Sequence, residues 1–151
     1  MVDVHSPEIR SKNMMAVGHK NTKPELIIRK LLHSNGFRYR LHVKYLPGKP
    51  DLVFPRFRAV ILVNGCFWHG HKCYLFKWPA SRAEFWRKKI SDNIKRDYRN
   101  NTFLLDFGWK VLVIWECAII GKHKLSHDEL LNFISRWLQG VYCEYTELGH
   151  L

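Results

Sequence analysis

Pro47-Gly48-Lys49-Pro50-Asp51-Leu52-Val53-Phe54-Pro55-Arg56-Phe57-Arg58-Ala59-Val60-Ile61-Leu62-Val63 decides how this chain folds. The opening Pro-Gly-Lys-Pro run is a turn, built from the two residue types that most constrain and most free the backbone. Asp51-Leu52-Val53-Phe54 and the run from Ala59 to Val63 then predict a hairpin of two buried strands.

Upstream of this hairpin, Phe37, Tyr39, Leu41 and Val43 alternate with polar residues and predict a half-buried strand. Thr22-x-x-Glu25 is a capping box ahead of Leu26, Ile27, Leu31 and Leu32, and Gly36 closes that helix. Ser6-Pro7 opens an earlier helix, within a basic and weakly amphipathic arm covering 1–20. Downstream, Ser81-x-x-Glu84 is a second box that starts a long helix ending near Phe107-Gly108. Trp109 to Trp115 reads as a central strand, and Ser126-x-x-Glu129 opens a last helix that stops at Gly140. The final stretch, 141–151, has no pattern and is read as a tail. The order α-α-β-β-β-α-β-α predicts a mixed β-sheet flanked by helices, an α/β or α+β domain. At 151 residues the whole chain is expected to form a single domain.

Twenty-five Lys+Arg against thirteen Asp+Glu leave a formal charge of +12, an excess that points to a polyanionic partner. No lipidation signal or lone basic amphipathic helix points to a membrane surface. No apolar run approaches the ~18 residues of a membrane span, and no signal-peptide core is visible. The chain is therefore expected in the cytosol, where its 4 cysteines would stay reduced or bind metal.

After the hairpin comes Cys66-Phe67-Trp68-His69-Gly70-His71-Lys72-Cys73. Cys66, His71 and Cys73 are zinc-type ligands in one loop. Cys117, just past the Trp109 to Trp115 strand, is the best fourth ligand, and Cys143 competes with it. Four protein ligands would close the site against catalytic water and leave His69 spare. The aromatic rings Phe67 and Trp68, wedged between ligands, suggest a tool for prying stacked bases apart. Asp51 sits after a tight turn, where a carboxylate can bind Mg2+ or simply cap the turn. The second strand carries no acid or lysine, so a base must come from elsewhere. An imidazole, with a reference pKa of about 6.5, can serve near neutral pH, and His69 is the candidate.

Arg10-Ser11-Lys12-Asn13-Met14, Pro47-Gly48-Lys49-Pro50-Asp51, Gly65-Cys66-Phe67-Trp68-His69, Cys73-Tyr74-Leu75-Phe76-Lys77, Glu84-Phe85-Trp86 and Trp115-Glu116-Cys117-Ala118 together resemble the very short patch repair (Vsr) DNA mismatch endonucleases. The likeness runs from about Asp3 to Leu125. It implies a restriction-endonuclease-like fold with a structural zinc, and nicking 5′ of the thymine in T:G mismatches that arise from 5-methylcytosine deamination. It further implies a bacterial, cytoplasmic, monomeric enzyme, nucleoid-associated when bound to double-stranded DNA and followed by repair proteins.

Carried over by position, Asp51 binds catalytic Mg2+ with the backbone carbonyl of Val63, and His69 is the general base. Cys66, His71, Cys73 and Cys117 hold structural Zn2+, which makes Cys143 a bystander. Phe67, Trp68 and Trp86 intercalate beside the mismatch. Trp86, Lys89, Asn93 and Asp97 recur on one helix face, with Lys89 and Asn93 reading base edges and Asp97 orienting His69 or water. Glu25 matches an acidic site residue, and Met14 is expected to press into the minor groove. Asn64 departs from the family, which often has a second histidine there, and Gly70 and Lys72 replace a histidine-rich run. The competing readings are a restriction-type endonuclease of the same fold and a zinc-stabilised DNA-binding module without chemistry.

Overall fold

The computed structural model describes residues 21–149. The Ser6 helix and Met14 lie outside the described residues. The elements run α1 (Lys23–Ser34), β1 (Arg40–Leu41), β2 (Leu52–Phe54), a 3-10 turn (Pro55–Phe57), β3 (Ala59–Asn64), α2 (Ala83–Asp106), β4 (Lys110–Trp115), α3 (Glu116–Ile119), α4 (His127–Leu138) and β5 (Tyr145–Leu148). The strands form one mixed sheet in the order β1-β2-β3-β4-β5. β1, β2 and β3 are antiparallel neighbours, and β4 is parallel to both β3 and β5.

The predicted hairpin is present, with Leu52 opposite Ile61 and Phe54 opposite Ala59. Strand alternation then divides the core between two faces. Leu52, Phe54, Ala59, Ile61, Leu112 and Ile114 pack with Ile28 and Leu32 of α1 and with Leu130, Ile134 and Trp137 of α4. Val53, Val60, Val111 and Val113 face the other way, against Leu104 of α2, Cys66 and Cys117. Because β4 is covered on both faces and paired on both edges, Val111 to Trp115 is continuously buried. Lys110 at its start donates Nζ to the carbonyls of Leu138 (2.8 Å) and Trp137, closing the C-terminus of α4 with a cation. Among the described residues no helix is long and apolar enough to cross a membrane.

Four expectations change. The alternating run from Phe37 to Val43 yields only Arg40–Leu41 as strand, both exposed. His42 takes a positive φ of 47°, which breaks the extended path and turns its ring inward. The Ser81 box does not form: α2 starts after Arg82, itself at φ 55° with no side-chain cap, and the Arg82 guanidinium lies over Phe85. Thr22 caps α1 by accepting the Glu25 N–H, but the Glu25 carboxylate is drawn elsewhere. The patternless C-terminal stretch contributes β5, a strand too polar to signal itself, held because its register on β4 satisfies backbone groups. The Ser126 box forms in full.

Candidate metal centres and catalytic site

β3 ends at Asn64, and the chain at once enters a knuckle pinned by its own backbone. His69 N–H donates to the Gly65 carbonyl, His71 N–H to Cys66 and Cys73 N–H to the His71 carbonyl. These turns bring Cys66, His71 and Cys73 together, and α3, which begins where β4 ends, delivers Cys117. The four ligand atoms lie within 4.8 Å of one another. Sγ of Cys66 and Sγ of Cys117 are each 3.6 Å from Nδ1 of His71. A tetrahedral zinc with ordinary Zn–S and Zn–N bonds separates such atoms by about 3.6 Å, so the donor set fits.

Burial pushes the Cys66 thiol well up, against a hydrogen bond from the Cys117 backbone and with the Cys73 thiol adding to the rise, and pushes His71 down toward its neutral form. A neutral imidazole is what a metal requires, while crowded buried thiols need a cation to become thiolates. The His71 ring also stacks on Trp115 at 4.1 Å and 9°. Cys143 is exposed and outside the cluster.

Gly70 carries the knuckle past α2. Its φ is 64°, and a Cβ there would stand 2.7 Å from Ile94 and 2.9 Å from Ile90. In this chain glycine is required where the family resemblance expected a histidine-rich run, because two isoleucines of α2 occupy the space.

The same knuckle presents His69. Its Nδ1 is hydrogen-bonded to Oδ2 of Asp97 on α2, which leaves Nε2 as the nitrogen available for proton transfer. Phe67, Trp68 and Trp86 form one aromatic cluster, with centroids 5.3–5.7 Å apart. Phe67 and Trp68 are half-buried. Trp86, expected to enter DNA with them, is 6% exposed and lies beneath them as a buttress. Asn93, expected to read bases, is also buried: Nδ2 donates to the Trp68 carbonyl at 2.8 Å and Oδ1 accepts from Arg96. With both ends of its amide engaged, it ties the knuckle to α2. Lys89 is half-buried on α2.

A second cluster joins Asp51, Glu25 and His42, with donor atoms again within 4.8 Å. Asp51 Oδ2 accepts the Val63 N–H at 2.7 Å. In a strand the N–H and C=O of one residue share an edge, so the Val63 carbonyl faces the same side. Burial, reinforced by Glu25, pushes the Asp51 carboxyl up to about 8 despite that backbone bond. Two acids in a desolvated place are a donor set that a divalent cation would relieve. His42 was missed by sequence reasoning. Its one signal was a metal-binding type of side chain at a polar position inside the apolar alternation, between Leu41 and Val43. Glu116 was also missed; Oε1 accepts the Cys66 N–H and ties the knuckle to α3. Asn64 is buried at the end of β3, opposite Trp115.

The chain is 45% identical to the DNA mismatch endonuclease Vsr of Escherichia coli K12 over 93% of its length and 90% of that protein's. It belongs to the Vsr family. The family described as DNA mismatch endonuclease Vsr matches residues 2–75. The chain is also 50% identical to a type II nicking enzyme of Xanthomonas oryzae, over 79% of this chain and 88% of that one. With a type II nicking enzyme of Neisseria meningitidis it shares 42% identity over 90% and 96%. The mixed sheet flanked by helices, with its Cys3His cluster, is the restriction-endonuclease-like architecture of the Vsr family.

Proposed function

We propose that this chain is a strand-specific DNA endonuclease that nicks 5′ of the thymine in T:G mismatches left by 5-methylcytosine deamination. Membership of the Vsr family supports the reaction class. The observation that carries the reading is that the C-terminal end of β3 anchors two reactive groups through its backbone. There Asp51 is bonded to Val63, and His69, bonded back to Gly65, is oriented by Asp97.

In this mechanism His69 Nε2 takes the proton from the attacking water, and Asp97 stabilises the imidazolium that results. Asp51 and the Val63 carbonyl would hold Mg2+, with Glu25 alongside. When bound, such an ion supplies Lewis-acid stabilisation of charge developing on the phosphate. Zn2+ is the ion proposed for Cys66, His71, Cys73 and Cys117, and its role is structural. Phe67 and Trp68 enter the duplex beside the mismatch, where unstacking costs least. Trp86 supports them from below, and Lys89 approaches the base edges. The whole chain acts as one nuclease domain, a monomer in the bacterial cytoplasm, and hands the nick to repair proteins.

The test is incubation of the purified protein and Mg2+ with a T:G duplex and its T:A control. Nicking of the thymine strand in the mismatched duplex alone is expected. Equal cutting of both duplexes would make it a restriction-type enzyme, and binding without cleavage a non-catalytic module.

A further inference from the structure

We propose that His42 supplies a nitrogen ligand to the divalent ion held at Asp51, with Glu25 as a third donor, so that this centre takes Mn2+ in preference to Mg2+. The inference rests on the reading of Asp51 as the catalytic metal ligand and adds to it the identity of the site's third donor and the class of ion it favours.

His42 is committed to this place by backbone as well as side chain. It sits at φ 47°, a left-handed conformation uncommon for residues other than glycine, and its N–H donates to the Asp51 carbonyl at 3.2 Å. That conformation ends β1 and directs the ring at the two acids. Nε2 of His42 is 2.9 Å from Glu25 Oε2 and 3.9 Å from Asp51 Oδ1. Ligands about 2.1 Å from one octahedral ion stand about 3 Å apart when adjacent and about 4.2 Å apart when opposite. The 2.9 Å separation matches an adjacent pair and the 3.9 Å separation falls about 0.3 Å short of an opposite pair, so the three donors can share one ion with little movement.

A hydrogen bond to Glu25 alone is a weaker account of the ring. The Glu25 carboxylate already accepts from the Asn21 N–H at 3.1 Å and pairs with Arg29 at 3.4 Å, so it is held without His42. The carboxylates are hard oxygen donors suited to Mg2+. An imidazole nitrogen adds affinity for transition metals and little for Mg2+, which favours oxygen and retains its waters.

Pulsed electron paramagnetic resonance of the zinc-replete protein carrying one equivalent of Mn2+ tests this without any activity readout. The wild type should show coupling to a directly bound nitrogen, and His42→Gln should lose it. Glutamine keeps an amide donor for Glu25 but offers no imidazole. In competition titrations the wild-type preference for Mn2+ over Mg2+ should fall roughly tenfold or more in that variant, the scale on which changes around a metal act. Bound Mn2+ without nitrogen coupling in the wild type, or an unchanged preference in the variant, would overturn the role of His42. Wild-type affinity for Mn2+ in Asp51→Asn would instead overturn the placement of the centre itself. The wild-type spectrum decides the matter even if His42→Gln does not fold.

Discussion

Asp97, near the middle of α2, holds Nδ1 of His69 in the knuckle that follows β3, joining positions 28 apart in sequence. The carboxylate sets the ring's orientation and selects the tautomer whose free nitrogen is Nε2. His69→Ala is therefore expected to slow single-turnover nicking by about 10²–10⁴-fold, the usual contribution of a positioned base. Asp97→Asn should slow it by a smaller factor, with the affinity for the T:G duplex unchanged in both. A parallel loss of duplex binding in a filter or anisotropy titration would remove His69 from the chemistry.

The zinc assignment chooses between two cysteines. Cys117→Ser is expected to lower metal content below one zinc per chain and to melt at lower temperature, because structural zinc binding is itself folding free energy. Cys143→Ser, altering an exposed thiol outside the cluster, should keep its zinc and its melting temperature. Elemental analysis of the two purified variants, with melting curves, decides between them.

The buried acid makes the metal-free protein sensitive to pH. Folding raises the Asp51 carboxyl from its ordinary 3.8 to about 8, so the native state holds this proton more tightly than the unfolded chain. The stabilisation is complete below the unfolded value and is lost as pH rises through about 8. Metal-free protein should thus melt progressively lower between about pH 4 and about pH 8 and level off above that, and Asp51→Asn should flatten the slope. Since the cation competes with the proton, Mg2+ affinity measured by calorimetry should climb up to about pH 8 and then level off.

Mismatch recognition should follow the rings. Trp68→Ala is expected to weaken binding to a T:G duplex by about 1–3 kcal/mol, the worth of stacking one base on an aromatic ring. Asn93→Ala, which releases the Trp68 carbonyl, should narrow the affinity gap between T:G and T:A duplexes while leaving Trp68 in place. Fluorescence anisotropy with both duplexes measures this gap. An Asn93→Ala protein that keeps it would show that the knuckle needs no such tether.

Much of this molecule was legible in residue order. The Pro47 turn and the two apolar runs after it specify β2 and β3, because a period of two and a turn are local properties. The same holds for the Ser126 box and for α2, whose length and helical spacing place Trp86, Asn93 and Asp97 together. The knuckle was visible as chemistry, since three of the four side chains of its Cys3His cluster lie within eight positions. Local signals failed where another contact outbid them: the Glu25 carboxylate left its capping role for His42 and Asn21.

Sequence by itself determined the hairpin, the helices α1, α2 and α4, the basic net charge and the loop that carries three metal-type side chains and a further histidine. Tertiary structure alone decided which distant groups those elements bring face to face. It brought Cys117 to the knuckle, Asp97 to His69, and Glu25 with His42 to Asp51. It also made a strand of Tyr145–Leu148, whose half-buried positions are one threonine and one leucine, too short an alternation to announce a strand. The reason is that periodicity and capping act within a few residues. Donor-to-donor distances across the sheet depend on strand register, on a single left-handed residue at His42, and on where β4 happens to end.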